Sequence, residues 1–205
     1  LGAAVAGLGP WMRRSMPETL PVDEGAPPIR SLGDLGGAMG WRLQQVAQQW
    51  RLVLQVMGLV SFANVVFYVS FVFLVDHAGQ QAGSTAGANS VSTVVQTLGL
   101  PLVVLGGQLA DRFGLIRVNR WGNGLLLLVM PLALLIGQGG SLANLAVAQG
   151  LMLLPLMATM GAQGVLGVAL VPMHQRCAVF SIAYSLAMAL FAGTSPLVCS
   201  WLLEK

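Results

Sequence analysis

The sequence contains very little charge for its length. Only 8% of its 205 residues are Asp, Glu, Lys or Arg, whereas 56% are hydrophobic. A soluble domain carries about 25% charged residues, so this chain has too few to cover a surface that faces water. The net charge of +3 is small, and the basic residues are spread among short segments, which argues against a nucleic-acid-binding patch. The composition therefore predicts an integral membrane protein.

Reactive and metal-binding residues are also scarce. Both cysteines, Cys177 and Cys199, fall in one apolar segment, where a helix would hold them about 33 Å apart. They are therefore too distant to form a disulfide with each other. The two histidines, His77 and His174, are predicted on opposite membrane faces, so we expect no metal or haem site. No nucleotide-binding loop and no nucleophile with a neighbouring base is recognisable, and we expect neither a cofactor nor enzymatic activity.

Long stretches of the chain have no charged residue at all. No Asp, Glu, Lys or Arg occurs from His77 to Ala110, or from Trp121 to Gln175. About 20 apolar residues in a helix cross the roughly 30 Å hydrocarbon layer of a bilayer. Polar and glycine-rich segments divide the apolar sequence into five predicted spans, at residues 52–75, 87–110, 121–137, 142–167 and 177–203. The predicted fold is all-α, a polytopic membrane helical bundle.

The first quarter of the chain has a different composition. Residues 1–12 form an apolar run too short to span, which we interpret as the end of a preceding helix. Residues 13–50 contain four prolines and several charges and are predicted to be an extramembrane loop, whose second half has the pattern of a short surface helix. The bundle itself occupies residues 51–205. Because the chain has no initiator Met, we expect a fragment of a longer protein.

The arginines predict how the chain is oriented in the membrane. They precede the first span and lie between the second and third and between the fourth and fifth, so alternating spans place them on one side. By the positive-inside rule this side is cytoplasmic, and we expect a multi-pass protein of a bacterial-type cytoplasmic (inner) membrane. Four tryptophans fall at predicted span ends, where amphipathic rings prefer the headgroup layer: Trp11, Trp50, Trp121 and Trp201.

Several polar side chains lie inside the spans. Ser61, Asn64 and Tyr68 are spaced three and four apart and share one helical face. Lipid cannot satisfy such a face, which must meet other helices or water. The stripe is interpreted either as interhelical hydrogen bonding or as one wall of a solute pathway, and both interpretations stay open. Gln96 and Tyr184 are similar candidates, with simple packing as the alternative for Tyr184.

Two further patterns concern helix packing and bending. Proline breaks a backbone hydrogen bond and bends a helix, which suits a protein that opens and closes. Four successive spans each contain one: Pro101, Pro131, Pro155 and Pro196. Small residues at every fourth position of the last span predict close approach of a neighbouring helix: Ser181, Ser185, Ala189 and Gly193.

A short charged turn is predicted between the second and third spans. Its sequence resembles the signature loop of the major facilitator superfamily, G-x-L-a-D-R-x-G-R-[KR], although Leu115 and Ile116 replace the basic pair. The resemblance implies a latch in which the Asp accepts hydrogen bonds at a helix N-terminus and pairs with an Arg. It also implies one Gly for helix approach and one for the sharp turn. The residues concerned are Gly107, Asp111, Arg112 and Gly114, with Arg117 and Arg120 following.

Two other segments resemble the metabolite:proton symporter branch of that superfamily, which includes the proline/betaine and α-ketoglutarate permeases. Residues 171–176, with Pro172 and Arg176, are similar to the start of its eleventh helix. Residues 183–197 are similar to the G-Y-N-L-x-x-A-L-F-G-G-T-A-P-L segment, and residues 58–68 to its seventh helix. The resemblance implies a C-terminal half, with the end of helix six, the central loop and helices seven to eleven.

The resemblance implies a secondary transporter for an organic acid, amino acid or betaine, working by proton symport with alternating access. Its partners would be the solute, protons, lipid and an N-terminal six-helix half. Asn64, Tyr68, Gln96 and Tyr184 would line the cavity, while the signature loop, Pro172 and Arg176 would serve gating or structure. The alternatives are a non-transporting membrane scaffold or sensor, and a membrane enzyme, which would need a reactive cluster. No span has a charged residue at its middle, so the proton carrier is expected in the other half.

Overall fold

The computed structural model describes residues 46–203 without a gap, together with residues 36, 37, 40 and 44. The chain consists of two compact units, Leu1–Trp41 and Arg42–Lys205, and the helical bundle belongs to the second. The predictions for residues 1–35 lie outside the described residues. Among the described residues no strand occurs and almost every position is helical, so the all-α prediction is confirmed.

Five helices are long and apolar enough to cross a membrane, as predicted. We number them α1 to α5 in chain order: α1 Trp50–Gln81, α2 Thr85–Phe113, α3 Leu115–Gly137, α4 Leu142–Ala169 and α5 Arg176–Leu202. Two of them contain a π-helical turn, Val69–Phe73 in α1 and Met188–Ala192 in α5. The last π turn is followed by a tight turn and a final helical segment, Ser195–Leu203. Pro196 therefore lies in the first turn of that segment, whereas the other three intramembrane prolines are inside uninterrupted helices.

The helices are longer, and the turns between them shorter, than the sequence predicted. The polar segment 76–86 was expected to be a loop, but α1 continues through most of it. Two i, i+4 side-chain contacts support this extension: Gln80 Nε2 donates to Asp76 Oδ2 at 2.8 Å, and the side chains of His77 and Gln81 meet at 2.9 Å. The α1–α2 turn is thereby reduced to three residues, 82–84.

The charged turn predicted between the second and third spans contains a single non-helical residue, Gly114. Its φ of +95° lies in the region that glycine adopts readily and other residues rarely do. Its amide donates to the carbonyl of Ala110 at 2.9 Å, and its carbonyl accepts from the amide of Val118 at 3.1 Å. One glycine thus ends α2 and begins α3, and the flanking charges belong to helices instead of a loop.

Helix α4 is the centre of the bundle. Over its membrane-length window 56% of the residues are buried, compared with 22% for α2, α3 and α5. It contacts all four other helices. Its crossing with α2 depends on glycine, because a Cβ on Gly106 would lie 2.7 Å from Ala158 Cα and one on Gly161 would lie 2.5 Å from the carbonyl oxygen of Val103. Gly107, the glycine that the signature loop offers for helix approach, is not part of this crossing, since a Cβ there would meet nothing within 4 Å in the described part of the chain.

Helices α1 and α5 form the other main contact of the bundle. The buried face of α5 consists of Val179, Ala183 and Ala187, which pack against valines of α1. The predicted row of small residues on α5 is not at this interface, since all four of its members are exposed. The reason is the register: the row is offset by two positions from the buried face, which places it on the opposite side of the helix.

Candidate functional site

Two groups of polar side chains connect the helices within the bundle. The first joins α1 to α5, where the hydroxyl of Tyr184 donates to Asn64 Oδ1 at 3.4 Å. Asn64 is buried and its amide also donates to the carbonyl of Val60 at 2.6 Å. Phe180 stacks on the Tyr184 ring at 5.8 Å between ring centroids. We call Asn64 and Tyr184 the amide–phenol pair.

Tyr68 lies one turn beyond Asn64 on the predicted polar face of α1. Its ring is half-buried and meets Phe67 edge-on, with 6.1 Å between centroids. Its hydroxyl forms no hydrogen bond with any residue in the described part of the chain. Ser61, at the other end of the stripe, bonds the carbonyl of Met57 in its own helix at 2.5 Å. Tyr68 is thus the stripe residue whose side chain makes no hydrogen bond in the described part of the chain.

The second polar group is buried among α1, α2 and α4, and sequence reasoning did not find it. Gln149 of α4 is completely buried, and its Nε2 donates to the backbone carbonyl of Ser70 at 2.9 Å and, more weakly, to Ser92 Oγ at 3.4 Å. The Ser70 hydroxyl donates to the carbonyl of Val66 at 2.6 Å. We call Gln149, Ser70 and Ser92 the glutamine cluster. The sequence signal for it was weak, because a glutamine in an apolar span names no partner.

Gln96 is half-buried at the edge of the glutamine cluster. Its Nε2 donates to Ser92 Oγ at 3.2 Å. The four predicted cavity residues thus do not form one site: Asn64 and Tyr184 meet, Tyr68 shares their helix face, and Gln96 lies with the other group. The structure therefore has two separate polar contacts. One joins α1 to α5 and borders an exposed helix face, and the other is buried around α4.

The glutamine cluster coincides with the π turn of α1. Within Val69–Phe73 the hydrogen-bond spacing widens, so that the amide of Leu74 donates to the carbonyl of Val69 five residues earlier. Such turns insert one extra residue into a helix and are frequent at functional sites. Because Gln149 binds the carbonyl of Ser70 within this turn, one side chain of α4 holds the irregular part of α1 in place.

The residues of the signature loop lie together at the end of the bundle where α2 and α4 finish and α3 and α5 begin. Asp111, Arg112, Arg117 and Arg120 are all exposed. Within the described part of the chain Asp111 forms no ion pair. Arg176 is attached more firmly, since its Nε donates to the carbonyl of Val171 at 3.1 Å, directly before the exposed Pro172. We call this region the arginine end.

The described residues include no group of three His, Cys, Asp or Glu side chains that is able to hold a metal ion. Cys177 and Cys199 are both free thiols.

Comparison with known proteins identifies transporters as relatives. The chain is 28% identical over 164 residues to the ectoine/proline transporter ProP of Corynebacterium glutamicum, an alignment that covers 78% of this chain and 32% of the relative. It is 30% identical over 150 residues to a putative proline/betaine transporter of Staphylococcus aureus, covering 71% of this chain and 32% of that protein. The chain thus spans about a third of the length of these relatives. No protein-family model matches the chain, and neither does any solved structure.

These relatives confirm the resemblance to proline/betaine transporters that the motifs indicated. Together with the five long apolar helices, they show that the chain is a multi-pass integral membrane protein.

Proposed function

We propose that this chain is the C-terminal half of a secondary transporter that moves a small organic solute across the cytoplasmic membrane. The observation that carries the proposal is the similarity, over most of the chain, to transporters whose names specify proline, ectoine or betaine. The solute would accordingly be an amino acid, a betaine or an organic acid. The arginine end would face the cytoplasm, by the positive-inside rule.

The proposal requires a second half that covers part of the bundle. The exposed row on α5, together with the low burial of α2 and α5, supports such a partner. Small residues permit close contact between membrane helices. An N-terminal six-helix half would pack on this face, and alternating access would occur by rocking of the two halves about a central site.

The amide–phenol pair and Tyr68 would line the solute pathway at this interface. A 3.4 Å hydrogen bond is weak and easily exchanged for one to a solute. The glutamine cluster would have a supporting role, because it is enclosed on all sides by three helices. No Asp, Glu, Lys or Arg lies at mid-span in the described helices, so the residue that carries the proton would belong to the other half.

The test is uptake by the complete protein reconstituted in vesicles. Labelled proline, glycine betaine and α-ketoglutarate would be offered separately, with and without an imposed proton gradient. We expect uptake of at least one, and its loss when an uncoupler collapses the gradient. A folded protein that takes up none of them would contradict the proposal and favour a non-transporting sensor of the same fold. Uptake that an uncoupler does not change would contradict proton symport alone.

A second test concerns gating at the arginine end. Asp111→Asn removes the negative charge that would bind a neighbouring helix N-terminus and an Arg in the closed state. We expect the uptake rate to fall about tenfold, which corresponds to ~1.4 kcal/mol. The amount of protein in the membrane should remain unchanged, as measured by quantitative blotting. A loss of protein without a loss of rate per molecule would contradict a gating role.

A further inference from the structure

A small polar cavity lies at the end of the bundle opposite the arginines. It has a volume of about 190 Å³ and is formed where α1 ends and α2 begins. Its lining combines one carboxylate, one hydroxyl, one amide and apolar side chains: Phe71, Val72, Val75, Asp76, Thr85 and Asn89. We call it the outer cavity, and the function proposed above makes no use of it.

The polar side chains of the outer cavity are exposed and have few partners among the described residues. Asp76 accepts a hydrogen bond from Gln80, which is neutral, and every Arg in residues 46–203 belongs to the other end of the bundle. The carboxylate therefore has no compensating cation in the described part of the chain. Thr85 and Asn89 are one turn apart on α2, and their side chains form no hydrogen bond with any described residue. The cavity thus offers a negative charge together with two polar groups that are able to donate.

The π turn of α1 aligns the outer cavity with the polar stripe. In an uninterrupted helix Asp76 would follow Tyr68 by eight positions and lie about 80° away around the axis. The extra residue in the π turn reduces the effective separation to seven positions, which returns Asp76 to the face of Tyr68 and Asn64. Asp76 is then about 12 Å along the axis from Tyr68. The carboxylate and the stripe lie along one line on α1.

We propose that the outer cavity is the first binding site for the solute on its way to the polar stripe, and that it takes small zwitterions carrying an ammonium group. Asp76 attracts the ammonium group, and the apolar side chains of Val72 and Val75 border the space for its methyl or methylene groups. Thr85 and Asn89 donate to the carboxylate at the other end of the zwitterion. His77 takes no part, because it stacks on Phe73 and lines a different cavity. The inference rests on the proposed transport function and names the site where transport begins.

The kinetic test uses the complete protein in vesicles, with labelled glycine betaine. Asp76→Asn should raise KM about tenfold while kcat stays within about twofold, because the lost attraction acts on capture and not on the later rocking step. Asp76→Glu keeps the charge and should hold KM within about threefold of the unmodified protein. His77→Gln changes a neighbouring polar side chain outside the cavity and should leave KM unchanged. An unaltered KM in Asp76→Asn, or an equal loss of kcat, would overturn the proposal.

A binding test that needs no transport separates this inference from the proposed function. Thr85→Cys, in a background without other reactive cysteines, would be labelled with an impermeant maleimide. Tetramethylammonium should slow labelling, and Asp76→Asn should abolish this protection. Asn89→Ala should leave protection by tetramethylammonium intact and weaken protection by glycine betaine, which also has a carboxylate. If tetramethylammonium protects Thr85→Cys but no solute is taken up, the binding site stands and the proposed transport function is rejected. If solute is taken up but labelling is not slowed, transport stands and the binding site is rejected.

Discussion

The two polar contacts of the bundle differ in every property that decides how firmly they hold. Gln149 is completely enclosed and binds a backbone carbonyl at 2.9 Å, among three helices. Tyr184 is half-buried and reaches Asn64 at 3.4 Å, between two helices that border an exposed face. In lipid, an unsatisfied backbone carbonyl is costly because no water can replace its lost partner. The first contact is therefore suited to fixing a structure, and the second to being exchanged during a transport cycle.

The same contrast extends to the helices that carry these contacts. Helix α4 crosses α2 so closely that glycine is required, and it is the most buried of the five helices. Helix α5 has small residues as well, but it leaves four of them exposed and packs through alanine and valine. The region around α4 is thus a rigid unit by itself, whereas α5 presents a surface that is complete only with another helix.

The largest expected effect comes from the crossing of α2 and α4. Gly161→Ala places a methyl group 2.5 Å from the carbonyl oxygen of Val103 and 2.8 Å from the amide nitrogen of Gly107. Both neighbours are backbone atoms that cannot rotate away, so the helices must separate. We expect the protein in detergent to lose about 3 kcal/mol of unfolding free energy, at the upper end for overpacking.

Gly164→Ala is the matched control for this change. It lies in the same helix, three residues away, and a Cβ there meets nothing within 4 Å. Its stability should be equal to that of the unmodified protein or slightly higher, since alanine restricts the unfolded chain. Equal destabilisation by the two substitutions in thermal unfolding would show that the crossing is not the rigid element of the bundle.

The next effect tests the glutamine cluster. Gln149→Leu keeps the approximate volume but leaves the carbonyl of Ser70 without its donor from α4. We expect a loss of about 2 kcal/mol, the usual cost of an unsatisfied buried polar group. Stability would be measured by thermal unfolding, and uptake per folded molecule should change less than stability does.

Gln163→Leu supplies the comparison within the same helix. Gln163 is also buried and, like Gln149, has an Oε1 without a hydrogen-bond partner, but its amide donates to no residue in the described part of the chain. Because no described carbonyl loses a donor, replacing this amide by an apolar side chain should be neutral or stabilising. If Gln163→Leu destabilised as much as Gln149→Leu, general loss of glutamine packing would explain both, and the special role of the Ser70 carbonyl would be refuted.

The number and type of the helices could be predicted because the signal is local. Stretches without charge, bounded by arginine, glycine and tryptophan, are sufficient to identify five membrane-length helices. The helix ends were less accurate, since contacts such as Gln80 with Asp76 extend α1 into a segment whose composition indicated a loop. Two π turns also had no signal, because an extra residue in a turn depends on what the neighbouring helix offers.

Helix faces were predicted less well, for a physical reason. The last span has small residues at 181, 185, 189 and 193 and also at 183 and 187, so spacing alone allows either face to be the packed one. Burial of Ala183 is decided by the valines of α1, which lie far away in the sequence. Gly106 and Gly107 are likewise adjacent and equivalent in sequence, and only the position of α4 distinguishes them.

The smallest expected change in stability comes from the amide–phenol pair. Tyr184→Phe removes a single hydroxyl whose hydrogen bond to Asn64 is already long. Polar contacts between membrane helices contribute about 0.6 kcal/mol on average, and this one should contribute no more. Thermal unfolding should therefore be almost unchanged.

Uptake should be much more sensitive than stability to the loss of this hydroxyl. If the hydroxyl of Tyr184 exchanges between Asn64 and the solute, Tyr184→Phe loses a contact in the pathway and should reduce kcat/KM about tenfold, a loss of ~1.4 kcal/mol. Gln149→Leu, with its larger effect on folding, should reduce uptake per folded molecule by less. If Tyr184→Phe leaves uptake unchanged, the amide–phenol pair is a structural contact, as the glutamine cluster is. The solute pathway of this half would then depend on Tyr68, whose hydroxyl has no hydrogen-bond partner among the described residues.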